Sequence, residues 1–180
     1  QFLCQIAAPE IGIVTNIGTV HAERAGSQQS IAAGKSELVQ SLPENGFAIL
    51  NYDDPFVRSM SEKTHAKILF YGLSSSADLW ADAIQSNGLK GISFDIHYGE
   101  TKYHLQVPLL GRHSVQTILR ATAAGLATGM TWEEIIQGLQ RGHTQLRLIA
   151  VRTETGALLL DDTYNATPES MLAALDLLNE

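Results

Sequence analysis

Ile11-Gly12-Ile13-Val14-Thr15 is a short β-branched run entered through Pro9, and it begins the segment 11–71 on which the architecture turns. An apolar run with no polar alternation reads as a strand buried on both faces. Ser27 then offers an N-cap for a helix reaching about Leu42, and Pro43 closes it. Phe47-Ala48-Ile49-Leu50 repeats the buried-strand signature. Asp53-Asp54-Pro55 opens another helix, with Pro55 in a tolerated first-turn position. Lys67-Ile68-Leu69-Phe70-Tyr71 is a third strand. This order predicts an α/β fold, a mainly parallel sheet with crossover helices.

Beyond Gly72 the texture changes. Candidate strands at about 78–85, 91–98 and 102–107 are separated by Asn87-Gly88 and Gly99-Glu100, which are hairpin-turn signals. Ile92, Phe94 and Ile96 alternate with Ser93, Asp95 and His97, as in a half-exposed antiparallel sheet. A small antiparallel β subdomain is therefore expected at about 77–108. An alanine-rich helix follows from His113 to Leu126, and Thr131-Trp132-Glu133-Glu134 has the form of a capping box. A hairpin from near Arg147 to Leu160 turns at Thr155-Gly156, and Pro168 opens an amphipathic helix carrying Met171, Leu172, Leu175 and Leu178. The expected division is a partial central domain at 1–145 and the start of a further domain at 146–180. The abrupt, core-like ends lead us to expect a chain cut from a longer one.

Twelve Lys+Arg against nineteen Asp+Glu give the 180 residues a formal charge of −7. That argues against binding to a nucleic-acid backbone, which needs clustered basic residues. The single cysteine, Cys4, cannot form an intramolecular disulfide, which fits a reducing compartment. No apolar run approaches the roughly 20 residues of a membrane-spanning helix, and Gln1 to Ile6 has no basic n-region. A cytoplasmic protein without membrane insertion is expected.

Several motifs carry two readings each. Gly34-Lys35-Ser36 resembles the end of a phosphate loop, but Gln29 occupies the position of that motif's first glycine, and the tripeptide falls inside a helix. A phosphate loop is excluded. Lys35 falls in the stripe Ile31, Leu38, Leu42. It either snorkels to water or is held partly buried, where a lowered pKa would free the amine to react with carbon dioxide. His21, after the first strand, is a metal ligand or base, or else caps loop carbonyls. Asp161-Asp162-Thr163-Tyr164-Asn165 holds ribose or a metal, or else forms an Asx-turn and helix cap. Gly111-Arg112-His113 leads into a helix N-terminus, which faces an anion or is plain loop chemistry. Asp53-Asp54-Pro55 reads as a cap before a metal site. His65, His97, His104 and His143 lack zinc spacing, and Trp80 and Trp132 read as packing residues.

The order of the motifs says more than any one of them. Thr15-Asn16-Ile17-Gly18-x-x-His21-x-Glu23-x-x-Gly26-Ser27-x-x-x-Ile31-Ala32-x-x-Lys35-x-Glu37 resembles the central-domain signature of the Mur ligases. Leu50-Asn51-x-Asp53-Asp54-Pro55, Leu110-Gly111-Arg112-His113, Arg147 and Asp161-Asp162-Thr163-Tyr164-Asn165-Ala166-x-Pro168-x-Ser170-Met171 resemble the same family in the same order. The resemblance implies an ATP-dependent amide-bond ligase of peptidoglycan synthesis, with UDP-N-acetylmuramoyl-tripeptide and D-alanyl-D-alanine as substrates and an acyl phosphate between them. Mg²⁺ and cationic side chains then offset the crowded negative charge.

Carried over by position, the resemblance implies that His21 ligates Mg²⁺ and that Lys35, carbamylated, supports a second Mg²⁺. It implies that Arg147 reaches nucleotide phosphate and Asp162 the ribose. Ser114 and Thr117 stand where the family's adenine-contacting asparagines are, and Thr167 where it often has another asparagine. Asn165 and Tyr164 belong to the junction closing over the ligands, and Asn16 shapes the loop presenting His21. In the family, the phosphate loop and a Mg²⁺-binding glutamate precede the Thr-Asn-Ile-Gly block, so this chain alone is expected to be inactive. Its parent is expected to be a monomer, and the isolated chain to self-associate through exposed apolar surface. The alternatives are another ligase on the same core (folylpolyglutamate or cyanophycin synthetase type) or a non-catalytic nucleotide-binding module. A Rossmann dinucleotide binder lacks its G-x-G-x-x-G.

Overall fold

The computed structural model describes residues 2–18, 27–141, 149–163 and 168–179. Helix α1 (Phe2–Ala7) precedes strand β1 (Ile11–Val14). Helix α2 (Gln28–Gln40) is capped by Ser27, whose hydroxyl accepts from the Ser30 amide at 3.1 Å, and it ends before Pro43. Then come β2 (Phe47–Asn51), the single-turn α3 (Pro55–Arg58) running into a 3-10 turn at Ser59–Lys63, and β3 (Lys67–Gly72). β1, β2 and β3 pair in parallel, with Ile13 opposite Ile49 and Ile49 opposite Leu69. The crossover expectation holds.

β4 (Leu79–Ser86) joins β3 in parallel only at Tyr71–Leu79 and Gly72–Trp80. It then pairs antiparallel with β5 (Ile92–Tyr98), and β5 with β6 (Thr101–Val107). All six strands form one sheet in chain order, so the antiparallel segment prolongs the parallel sheet. Gly99-Glu100 makes the expected two-residue hairpin between Tyr98 and Thr101, whereas Asn87 leads into a longer turn containing Gly88–Lys90.

Helix α4 (Ser114–Ala127) lies over one sheet face, where Val115, Ile118 and Leu119 join Ile49, Leu79, Phe94 and Ile96 in one buried cluster. On the other face, Ala32 and Val39 of α2 and Val57 of α3 meet Val14, Ala48 and Leu50. Alternating side chains of β2 serve both clusters, as a central strand requires. Helix α5 (Trp132–Gln140) starts with the predicted capping box: Glu134 Oε2 accepts from the Thr131 amide at 2.8 Å, and the Glu134 amide donates to Thr131 Oγ1 at 3.3 Å.

The expected burial of β1 on both faces is not met within this chain: among the described residues β1 is an outer strand of the sheet, and Ile13 is 36% exposed. A separate two-stranded sheet, β7 (Ile149–Arg152) with β8 (Leu158–Asp161), is followed by helix α6 (Pro168–Asn179). The apolar stripe of α6 faces outward: Met171, Leu172, Leu175 and Leu178 are 51–62% exposed, while Leu177 turns inward. Among the described residues no helix is long and apolar enough to cross a membrane.

Candidate functional site

The carboxyl ends of parallel strands leave backbone groups without ladder partners, and these must be satisfied by other means. At the exit of β1, side chains from elsewhere do so. The Thr15 carbonyl accepts from Asn51 Nδ2 at 2.9 Å, the Asn16 carbonyl from Lys35 Nζ at 2.7 Å, and the Ile17 carbonyl from Gln28 Nε2 at 3.3 Å. The Ile17 amide donates to Asp54 Oδ2 at 2.7 Å. Ile17 itself is 5% exposed and packs in the cluster with Val14 and Val57. The loop is thus fixed by one apolar anchor and four hydrogen bonds just before residues 19–26. His21 falls in that segment, outside the described residues.

Lys35 reaches this loop from α2, but not from a buried position. The inward face of α2 carries Ala32, Ser36 and Val39, one residue around from the stripe Ile31, Leu38, Leu42, and Lys35 is exposed at its rim. The expectation that burial frees its amine is therefore corrected; the Asn16 carbonyl orients the amine instead. Ser36 tolerates the inward position because its hydroxyl donates to the Ala33 carbonyl at 2.7 Å. Gly34-Lys35-Ser36 lies within the helix, as the exclusion of a phosphate loop requires.

The turn after β2 ties three strand ends together. Asn51 Oδ1 accepts from the Asp53 amide at 3.0 Å. Asp54 Oδ1 caps α3, accepting from the amides of Phe56 at 2.9 Å and Val57 at 3.1 Å. Asp53 accepts from the amides of Leu73 at 2.7 Å and Ser74 at 3.2 Å, and from Gln116 Nε2 of α4 at 2.7 Å. This approach needs Gly72, because a Cβ there would lie 2.8–2.9 Å from the Asp53 carboxylate. Both acids are filled by N–H donors, in keeping with a cap. Among the described residues no three His, Cys, Asp or Glu side chains are grouped to hold a metal ion. Beneath them Tyr71 is 1% exposed. Burial pushes its hydroxyl pKa up, Arg120 pulls it down, and Asp53 and Asp54 add to the rise.

At the start of α4, Gly111 takes φ +77°, and a Cβ there would meet the His113 ring at 2.5 Å. The Ser114 hydroxyl is buried and donates to the Leu110 carbonyl at 2.6 Å, so it is engaged within its own loop. Thr117 is exposed and accepts from Arg120 Nη2 at 2.6 Å. A small cleft of about 80 Å³ separates Gly111, Arg112 and His113 from Ala173, Asp176 and Leu177 of α6. Asp162 is half-buried after β8, next to an Asx-turn in which Asp161 Oδ1 accepts from the Thr163 amide at 3.1 Å. Arg147, Tyr164 and Asn165, like His143, lie outside the described residues.

Other singled-out residues are structural. His97 bonds Asp82 at 3.0 Å and stacks on Trp80 with ring centroids 3.8 Å apart. His104 bonds Asp95 at 2.6 Å. Hydrogen bonds from Lys102 and then His104 hold the Asp95 carboxyl pKa down. The roles of Gln28 and Gln116 were not legible in the sequence, and Asn51 stood only as part of the family resemblance, with no role. Their partners are backbone groups or a distant carboxylate, and only the polar types at helix and strand ends could have flagged them.

Comparison with known proteins identifies the family and agrees with the fold. The family described as Mur ligase middle domain matches residues 1–125. The chain is 33% identical over 178 residues to the UDP-N-acetylmuramoyl-tripeptide--D-alanyl-D-alanine ligase of Mycobacterium bovis, covering 98% of this chain and 35% of that protein. The enzyme of the same name from Bacillus subtilis is 33% identical, with 98% and 38% covered. A crystal structure of MurF from Acinetobacter baumannii superposes with a TM-score of 0.89 at 29% identity, covering 99% of this chain and 39% of that one. The chain therefore spans well under half the length of the proteins it matches. With the family match covering most of its length, and the fold and strand-end loop as described, the chain belongs to the Mur ligase family.

Proposed function

We propose that the chain is the central part of an ATP-dependent ligase joining D-alanyl-D-alanine to UDP-N-acetylmuramoyl-tripeptide in peptidoglycan synthesis. The observation that carries this reading is the Lys35 amine held on the loop leaving β1, in a chain whose relatives bear that activity in their names. In the proposed reaction ATP phosphorylates the terminal carboxylate of the tripeptide, giving ADP and an acyl phosphate. The dipeptide amine attacks the carbonyl carbon, inorganic phosphate leaves as the amide forms, and the amine's proton passes to solvent.

Lys35 and His21 would hold Mg²⁺, which when bound offsets the negative charge gathered between carboxylate and triphosphate. Unmodified Lys35 is a cation and ligates nothing. Addition of carbon dioxide to its deprotonated amine, with loss of one further proton, gives an anionic carbamate. That carbamate keeps one N–H, so the bond to the Asn16 carbonyl is compatible with the modification. Arg147 would take the nucleotide phosphate and Asp162 the ribose, with Asn165 closing over them. Thr117, exposed on α4 although its Oγ1 accepts from Arg120, would be more accessible to adenine than the buried Ser114. Residues 1–145 would be part of the ATP-binding domain and 146–180 the start of the next. ATP and a nucleotide-linked substrate would be met in the cytoplasm, and the full-length enzyme would act as a monomer.

The test is phosphate release by the full-length protein, which should require ATP and both substrates together. Release with glutamate in place of the dipeptide would favour a folylpolyglutamate-type ligase, and no release at all would refute the assignment.

A further inference from the structure

We infer that Asp54 is a positioning residue for the ligase, its carboxylate fixing the loop whose Asn16 carbonyl orients the Lys35 amine; the inference rests on the function proposed above. One oxygen of Asp54 does what a helix cap does, accepting from the Phe56 and Val57 amides. The other is not needed for the cap. It accepts from the Ile17 amide at 2.7 Å, thirty-seven residues back in the chain, and is the only side-chain acceptor given to that amide among the described residues. An N–H bonded to an ionised carboxylate is held more firmly than one bonded to a neutral acceptor.

The bond falls at a decisive point. Ile17 is buried and follows directly on Asn16, so its amide and side chain together hold the Asn16 carbonyl where the Lys35 amine meets it. Asn51, from the same turn, holds the Thr15 carbonyl at 2.9 Å and thereby the start of the loop. The turn after β2 thus clamps the segment at Thr15 and Ile17, while Lys35 bonds to Asn16 between them. Asp54 touches no reacting group, and it acts through the loop on groups that do.

The cap and the clamp can be separated. Asn and Ser cap helices as well as Asp does, but the Asn amide nitrogen cannot accept from the Ile17 amide, and Ser does not reach it. In the full-length protein, Asp54→Asn and Asp54→Ser should stay folded at the assay temperature with Tm lowered by about 2–6 °C, because the cap survives and only the charge-assisted bond to the Ile17 amide is lost. Hydrogen exchange at the Ile17 amide should quicken in both. Ligase kcat should fall about 10- to 100-fold and half-saturating Mg²⁺ should rise, as expected when support for a metal-binding group is lost, while KM for D-alanyl-D-alanine stays within about twofold. Loss of activity only in proportion to unfolding would mean that Asp54 is a cap and nothing more. So would kcat and Mg²⁺ dependence unchanged in both variants. If the wild-type protein does not ligate, the functional reading fails by itself, and Ile17 exchange then decides the clamp: unchanged exchange overturns it, faster exchange upholds it.

Discussion

Gly72 and Asp53 make a pair whose coupling can be calculated before it is measured. Asp53 accepts hydrogen bonds from the Leu73 and Ser74 amides and from Gln116, joining the ends of β2 and β3 to α4. Asp53→Ala removes the acceptor from all three donors. The site is solvent-accessible, so water replaces part of the loss, and the low end of the range for charge-assisted bonds applies: about 1–2 kcal/mol in total. For a chain of this size that corresponds to a fall in Tm of roughly 3–8 °C. Gly72→Ala places a methyl group 2.8–2.9 Å from the same carboxylate and must push it off its donors, so the loss should be similar. With the carboxylate absent, the three atoms nearest the methyl are gone. Gly72 does not have a positive φ, so the alanine should then be neutral or stabilising by a few tenths of a kcal/mol, through the unfolded chain. Urea unfolding of wild type, both single variants and the double variant should show a double variant no less stable than Asp53→Ala alone. Additive losses would refute the reasoning, because they would mean that the Gly72 methyl does harm unconnected with Asp53.

Other consequences are as specific. Thr131→Ala should lower stability by about 1 kcal/mol by opening the capping box of α5, measured by thermal unfolding at neutral pH. Bonds from Thr131 hold the Glu134 pKa below its usual value. Its contribution is therefore full above the unfolded pKa and lost as pH falls through the folded one, so the gap between wild type and Thr131→Ala should narrow in acid without closing. The Thr131 amide bond is common to both, and the Glu134 amide still donates to Thr131 Oγ1 in wild type alone. Gly111→Ala combines a left-handed backbone with a clash against the His113 ring and should cost about 1–3 kcal/mol, with Tm as the readout. The isolated chain exposes Ile149, Val151, Leu158 and Leu159 beside the α6 stripe; its mass in sedimentation should rise with concentration, and a strictly monomeric chain would contradict that.

Much of the fold could be read before the structure because it rests on local signals. Three apolar runs bounded by proline, glycine and aspartate became β1, β2 and β3, and the alternation of Ile92, Phe94 and Ile96 placed all three in the core. The capping box at Thr131 needs only residues three apart. What escaped depends on phase and distance. The stripe through Lys35 has helical spacing, but spacing does not say which side the sheet lies on; Ala32 and Ser36, small and partly polar, hid the true inward face of α2. Ile13 looks like a core residue, yet among the described residues β1 has a neighbouring strand on one side only. The clamp on the loop after Val14 joins side chains to backbone atoms 11 to 37 residues away, and no composition marks a backbone carbonyl.

The placement of the Lys35 amine at the exit of β1 is the centre of the functional account. Full-length protein equilibrated with ¹³C-bicarbonate should show one carbamate resonance that disappears in Lys35→Ala, and that variant should lose ligation of D-alanyl-D-alanine. A Lys35→Ala enzyme that turns over at the wild-type rate would contradict the account outright.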